Sequence, residues 1–479
     1  MFILMVVIFV LGYTAIALEH PLKIDKAASA LVLGVLVWVV LILDVSGVLS
    51  LGYSQAWEHF KHSTMLTEFL EKNPDASLIE QMKYFIIDNQ IIEHLGDISE
   101  ILFFLLGAMT IVETIDQHQG FKIITDKITT TNKVKLLWIL SILTFFMSAL
   151  LDNLTTTIVM VALLRKLIDD KKSRWFFASM IVIAANAGGA WSPIGDVTTI
   201  MLWIGKQVTA GNIIMMVIIP SIFNMIFPLL IVSLYMKGNV ERPQIDEEDN
   251  TNYTSPFEQR LMLGLGIGAL LFVPIFKTTT HLPPYMGMLL GLGVLWVTTE
   301  IMHRNKSYED RRKLTIVGVL RKVDVPTIFF FLGILSAVAA LQVAGHLHLL
   351  AGFLDKNVHN IYGINTAIGI LSSIVDNVPL TAGAMGMYPV MTEAMIQASA
   401  EPAYMHHFVQ DGAFWELLAY AAGTGGSILI IGSAAGVAAM GLEKIDFIWY
   451  MKKISWLALI GYLGGIVIYY LQELLIFKM

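Results

Sequence analysis

Apolar runs long enough to cross a bilayer follow one another along most of the chain, separated by short polar stretches. About 20 consecutive apolar residues span the hydrocarbon core of a membrane. Runs of that kind occupy 1–18, 27–51, 99–117, 134–168, 174–210, 211–236, 257–276, 284–302, 325–345, 362–399, 412–440 and 446–472. The pattern predicts an all-α polytopic membrane protein. The first run has no basic residue before it and no small-residue cleavage site, so it reads as a retained span rather than a signal peptide. The stretch 52–97 differs. Trp57, Phe60, Leu66, Phe69 and Leu70 recur there at helical spacing among polar residues. It predicts one or two amphipathic helices on the extracytoplasmic side.

Four of the runs are interrupted. The 134–168 run carries Asp152-Asn153 at its middle, and the 362–399 run carries Asp376-Asn377-Val378-Pro379. The 174–210 run is broken between Gly188 and Asp196, and the 412–440 run between Gly423 and Ser433. Broken hydrophobic segments in matching positions of two halves point to a transport site. The halves do match here. Phe103–Gly107 resembles Phe329–Gly333, Ser148–Asn153 resembles Ser372–Asn377, and Gly188–Asp196 resembles Gly425–Ser433. The offset is nearly constant over the first two pairs and longer over the third, as an insertion around 400–411 would make it. Three matches in the same order predict an internal repeat.

Composition narrows the class, and charge placement then sets the topology. Hydrophobic residues make up 56% of the 479 and charged residues 14%. Soluble domains carry about 25% charged residues, so a soluble enzyme, a disordered chain and a nucleic-acid binder are excluded. With no cysteine, thiolate catalysis and Cys-based metal sites are excluded too. Lys122, Lys127, Lys133 and Lys135 precede the 134–168 run, and Arg165, Lys166, Lys171, Lys172 and Arg174 follow it. Basic loops stay cytoplasmic. A simple crossing would put one of these loops outside, whereas a re-entrant hairpin keeps both inside. The 362–399 run is flanked by Lys356, His346, His348, Asp355, His406, His407 and Asp411, an outside signature. That hairpin would enter from the opposite face.

The resulting fold class is an inverted repeat with two opposed re-entrant helical hairpins and two broken transmembrane helices. It has ten crossings, with both termini outside the cell (inner) membrane. Of the 31 Lys and Arg, only Lys61, Lys72, Lys83, Lys206, Lys277, Lys356 and Lys478 then face outside. The order of parts is an N-terminal helix pair (1–51), the extracytoplasmic segment (52–97) and the first repeat (98–237), with hairpin 134–168 and broken helix 174–210. A cytoplasmic linker (238–256) holding the acidic run Asp246–Asp249 follows, then a transmembrane pair (257–302) and a basic cytoplasmic loop (303–324). The second repeat (325–472) closes the chain, with hairpin 362–399 and broken helix 412–440.

The turns carry the candidate chemistry. A helix that stops inside a bilayer exposes carbonyls whose dipole favours a cation. Asp152, Asn153, Thr155 and Thr156 stand at the first hairpin turn. Asn186, Ser192, Asp196, Thr198 and Thr199 stand around the first helix break. Ser372, Asp376, Asn377, Ser427 and Ser433 are their counterparts in the second half. Oxygen-only ligands suit Na⁺ or Li⁺ rather than soft metals, with the metal expected at Asp152, Asn153 and Asp196. Carboxylates at membrane depth mark ion or proton pathways. A site that takes Na⁺ or H⁺, but not both, exchanges them; no cofactor is implied. Plainer readings stand beside these. Asp-Asn pairs cap turns, and Thr198 and Thr199 can bond back within a helix. Asp44, Glu113, Asp116, Glu300 and Glu416 lie near span ends and read as interfacial, with Glu113 and Glu416 as candidate proton relays. Most histidines, His118 among them, fall in predicted loops. Gly264/Gly268 and Gly287/Gly291 have helix-packing spacing.

At Asp152–Thr156 (Asp-Asn-x-Thr-Thr), Gly188–Asp196 (Gly-Gly-x-x-Ser-Pro-x-Gly-Asp) and Asp376-Asn377, the chain resembles the NhaD-type sodium/proton antiporters. They belong to the ion transporter superfamily, with the divalent-anion/sodium symporters and arsenite permeases. The resemblance runs from about residue 97 to the end. In the anion symporters the hairpin tips look like Ser-Asn-Thr. Here Asp152 stands where the first serine would be, and Asp196 where a threonine would be, so both departures favour a cation. The resemblance implies a divalent-anion-symporter-like fold, a homodimer and elevator-like motion. The alternatives are a same-fold carrier of arsenite, silicate or an organic anion, and, less favoured, an intramembrane enzyme using an aspartate pair.

Overall fold

The computed structural model describes residues 1–17, 19–125, 127–243, 254–374 and 376–477. The acidic run Asp246–Asp249 lies outside them. The described chain is helical, with a single isolated bridge, Asn132 to Asn239, as its only strand-like pairing. The helices used below are α1 (Phe2–Ala17), α2 (Lys26–Leu43), α3 (Leu78–Gln117), α4 (Lys133–Leu151), α5 (Asn153–Leu167), α6 (Lys171–Ala190), α7 (Val197–Ile204), α8 (Ala210–Tyr235), α9 (Pro256–Thr280), α10 (Pro284–His303), α11 (Val325–Val343), α12 (Ile361–Leu371), α13 (Asn377–Met387), α14 (Ala413–Gly425), α15 (Ala434–Glu443) and α16 (Ser455–Gln472). Among the described residues, eight helices are long and apolar enough to cross a membrane, in keeping with a polytopic membrane protein.

The amphipathic segment differs from expectation. Two short helices, Gln55–Phe60 and Thr64–Lys72, precede a third that does not stop at the apolar run. Ser77 and Glu80 form a capping box that starts it. It then continues through a π-turn at Phe85–Gln90 into α3. The aromatic spacing read from sequence closes a small core, where Phe85 meets Phe60 at 5.0 Å and Trp57 at 5.3 Å between ring centroids.

The chain divides into two compact units. The first comprises residues 1–102, 324–360 and 378–389 and contains α1, α2 and α11. Its centre is the α2–α11 crossing. A Cβ on Gly34 would stand 2.5 Å from the Gly333 carbonyl oxygen, so the two backbones meet where neither has a side chain. Trp38 Nε1 donates to Ser336 Oγ at 3.1 Å on the same seam.

The second unit comprises residues 103–323, 361–377 and 390–479. Here α4 and α5 meet at Asp152, and α6 and α7 are separated by the turn 191–196. The counterparts are α12, which ends just before the second turn, and α14 with α15. Close backbone approaches recur in both sets. Gly188 packs on the Phe145 carbonyl, and Gly425 on the Gly369 carbonyl. Gly195 sits over Ser148 O, and Gly432 over Ser372 O. Ser148 Oγ donates to Ala185 O at 2.6 Å, and Ser372 Oγ to Ala422 O at 2.9 Å. Asp196 and Ser433 cap the helices that follow the two breaks. Matching sequence positions therefore make matching tertiary contacts.

Two buried polar clusters lie within this unit. Glu443, at the end of α15, is buried between Arg165 of α5 (2.7 Å) and Arg174 of α6 (2.9 Å). His118, expected in a loop, is fully buried instead. Its Nε2 lies 2.8 Å from Nε2 of His303, and its Nδ1 2.7 Å from the Thr114 carbonyl. The glycine spacings divide. Gly287 and Gly291 of α10 pack on Phe276 and Ala269 of α9, while Gly264 and Gly268 meet nothing within 4 Å.

Candidate functional site

Asp196 is the hub of a buried polar cluster. The turn after α6 leaves it as N-cap of α7, where its Oδ1 accepts from Thr198 N at 3.1 Å. It is 1% exposed. Asn153 Nδ2, at the start of α5, donates to Asp196 Oδ2 at 3.0 Å and to Asn186 Oδ1 at 3.1 Å. Asn377 Nδ2, at the other turn, donates to the same carboxylate at 3.3 and 3.4 Å. Asn186 Nδ2 reaches Ser427 Oγ at 2.8 Å and Ser433 Oγ at 2.9 Å. Six of the sequence-derived candidates, Asn153, Asn186, Asp196, Asn377, Ser427 and Ser433, thus form one network drawn from both sets of sequence-matched segments.

The other candidates are placed differently. Asp152 is half-buried, and both its oxygens are engaged by Thr155: Oδ1 accepts from the backbone N–H at 2.7 Å and Oδ2 from the hydroxyl at 2.8 Å. It caps α5, as the plainer reading has it. Its backbone, at φ 78° and ψ 159°, lies in a region that is essentially glycine's. Holding an aspartate there costs about 1–3 kcal/mol. Asp376 is half-buried at the second turn. Both carboxylates lie close enough for their charge to act on Asp196. Ser192 donates to Ala149 O at 2.5 Å, Thr199 to Ala190 O at 3.3 Å and Ser372 to Ala422 O, so these three tie turn to helix. Thr156 Oγ1 and Thr157 Oγ1 are buried with no hydrogen-bond partner among the described residues.

Among the described residues no group of three or more His, Asp and Glu gathers as a metal site. A cation held here would rest on one carboxylate with amide, hydroxyl and carbonyl oxygens, a hard-oxygen set suited to an alkali ion. Sequence reasoning missed Ser148, whose hydroxyl fixes α4 against α6. The only sequence signal for it is the paired serine at Ser372.

A family profile described as citrate transporter matches residues 4–406. The chain belongs to this family. The citrate-transporter family member has relatives with more specific names. Sodium/proton antiporter 1 of Arabidopsis thaliana is 42% identical over 465 residues, covering 97% of this chain and 71% of the relative. Sodium/proton antiporter 2 of the same plant is 40% identical over 467 residues, covering 97% and 98%. The Na⁺/H⁺ antiporter NhaD of Vibrio cholerae is 28% identical over 500 residues, covering 97% and 90%. The resemblance drawn from the three motifs is borne out. The protein is therefore an integral membrane transporter and not an enzyme.

Proposed function

We propose that the chain is a secondary Na⁺(Li⁺)/H⁺ antiporter working at Asp196. The observation that carries this reading is a buried carboxylate held only by neutral donors, with amides from two separate turns converging on it. Such a group attracts a cation, or takes a proton, in the same small space. Binding one excludes the other, and that exclusion couples the two fluxes. A half-rotation of the Asn153 and Asn377 amides would exchange N–H for C=O and offer two more oxygens to a cation. Ser427, Ser433, Thr156 and the carbonyls at the turns are further ligands, and Asp152 and Asp376 add negative potential. The names of the relatives support the same exchange.

The family profile's description raises an organic anion as the second reading. The cluster's geometry disfavours it, because a citrate-like anion would bring like charge to Asp196 in low dielectric. Neutral arsenite or silicate meets no such repulsion, and uptake competition with Na⁺ tests it. The recurrence of contacts in the two halves supports the inverted repeat. The charge pattern supports opposed re-entrant hairpins and outward termini; an inner-membrane location belongs to the proposal as well. A homodimer and elevator-like motion belong to the proposal through the family resemblance alone.

The test is Na⁺-triggered pH change in proteoliposomes loaded with a pH dye. Absence of any Na⁺ or Li⁺ response between about pH 6 and 9 ends the reading. Asp152 has its own prediction, because capping and charge separate there. Asp152→Asn keeps the acceptor for Thr155 N and is expected to fold normally yet lose exchange. Asp152→Ala also loses the cap and should be less stable by a further ~1 kcal/mol. Full exchange in the asparagine variant would reduce Asp152 to a cap.

A further inference from the structure

Asp196 is not the only buried carboxyl group in the second unit. Glu416 lies in the first turn of α14, near the end of an apolar run where a solvated side chain is expected. It is instead 3% exposed. Tyr469 Oη of α16 donates to its Oε2 at 2.6 Å, and Asn212 Nδ2 of α8 donates to its Oε1. Both donors are neutral. The charged groups facing it are Asp411 and Glu473, both acidic. Glu473 in turn accepts from Tyr362 and faces His407. A carboxyl group in this setting can pass between acid and carboxylate without leaving a buried cation unpaired.

Its place along α14 links it to the cation site. A Cβ on Gly423 would lie 3.4 Å from Asp196 Oδ2, so that residue marks where α14 meets the hub. Gly423 is seven residues beyond Glu416. Seven residues are nearly two turns, so the two positions share a helix face, roughly 10 Å apart along the axis. The other end of this face leads outward. Asn212 is half-buried, and so is Asp411, which accepts from Thr209 N.

A second observation comes from α8. Asn224 is 1% exposed and packs on Gly461 of α16, with the Tyr420 hydroxyl in reach of its side chain. Ser221 Oγ, fully buried one turn earlier, lacks a hydrogen-bond partner among the described residues. Such a group costs about 1–3 kcal/mol. Ser221 is kept against that cost on a helix whose residues 213–220 are all apolar. Ionisable groups inside a membrane span mark proton or ion routes.

We propose that Glu416 carries a second proton in each exchange cycle, loading from the surface at Asn212 and Asp411, while Asp196 exchanges one proton for the cation. The step is a reversible protonation. An O–H bond forms at Oε2 as the proton arrives, and breaks as it leaves for the opposite side. The Tyr469 hydroxyl, displaced from Oε2, has a ready acceptor in the Ala413 carbonyl at 3.4 Å. Exchange is then electrogenic, because more protons than sodium ions cross per cycle.

The proposal rests on the antiport reading, and one set of liposomes separates the two. Full-length protein is reconstituted, and Na⁺-driven proton flux and tracer Na⁺ flux are measured with and without an imposed membrane potential. Glu416→Gln is expected to halve the protons moved per sodium ion and to abolish the potential dependence, with tracer Na⁺ still moving. An unchanged ratio with unchanged potential dependence overturns the proposal. If wild-type protein moves no protons in response to Na⁺, the antiport reading itself falls. Tyr469→Phe provides a second route that leaves Glu416 in place. Removing one hydrogen bond to the group should move the pH at which the potential-dependent component appears by about one unit. An unmoved profile also overturns the proposal.

Discussion

Asp196→Asn is expected to abolish Na⁺-driven proton movement while the protein still folds. Asparagine preserves the shape of the N-cap, and its Oδ1 can go on accepting from Thr198 N. What it removes is the formal charge at the centre of the cluster. A cation about 4 Å from that charge gains about 4 kcal/mol at an effective dielectric constant near 20, close to a thousandfold in affinity. The proton partner is lost at the same stroke, since an amide does not titrate in this range. The substitution also turns one acceptor into a donor facing the Asn153 and Asn377 amides. Those amides can rotate to present oxygen, so the expected loss is of function more than of stability. The measurement is dye-reported exchange beside a thermal unfolding midpoint. A variant that folds and retains even a tenth of wild-type exchange would move the site elsewhere.

Much of this cluster is legible in the sequence itself. Hydrophobic runs of the right length, broken by Asp-Asn and by glycine pairs, locate the turns. The internal match then marks Asn153 with Asn377, and Asp196 with Ser433, as equivalent positions. Asn186 was legible only through its spacing before a break. The failures share one cause. Pairings across long sequence separations leave no local trace. Glu416 is buried by Asn212 and Tyr469, far away on two other helices, so its place near the end of a run reads as solvated. His118 follows the last turn of a span and looks like a loop residue until His303 covers it. Asp152 shows the opposite difficulty. Its motif carries two meanings, ligand and cap, and spacing does not choose between them; the Thr155 geometry displays the cap. The spacing of aromatic residues marks the amphipathic segment, but not its continuation into α3. A capped helix start at Ser77 and an apolar run after Asp97 are separate signals, and only the π-turn between them joins the two.

Gly188→Ala and Gly425→Ala are expected to damage the protein more than any change at the surface. Both glycines lie on the helix before a break, and each faces a backbone carbonyl of a neighbouring helix, Phe145 of α4 and Gly369 of α12 respectively. An added Cβ would stand well inside van der Waals contact with that oxygen. Main chain is not the flexible end of a side chain, so the paired helices must part by roughly 1 Å, at an overpacking cost of about 1–3 kcal/mol or more. The functional loss should exceed the loss of stability. A site of this kind tolerates displacements of only about 0.5 Å. Separating α4 from α6 shifts Asn153 and Asn186 against Asp196, whose contacts already span 3.0–3.4 Å. Gly188→Ala should therefore lose exchange completely. Gly425→Ala, acting beside Ser427 and Ser433, should lose most of it, with unfolding midpoints lowered in both. Gly264→Ala is the control, because a Cβ there meets nothing within 4 Å. If the Gly188 and Gly425 variants behave like that control in both measurements, the paired close approaches do not hold the site together.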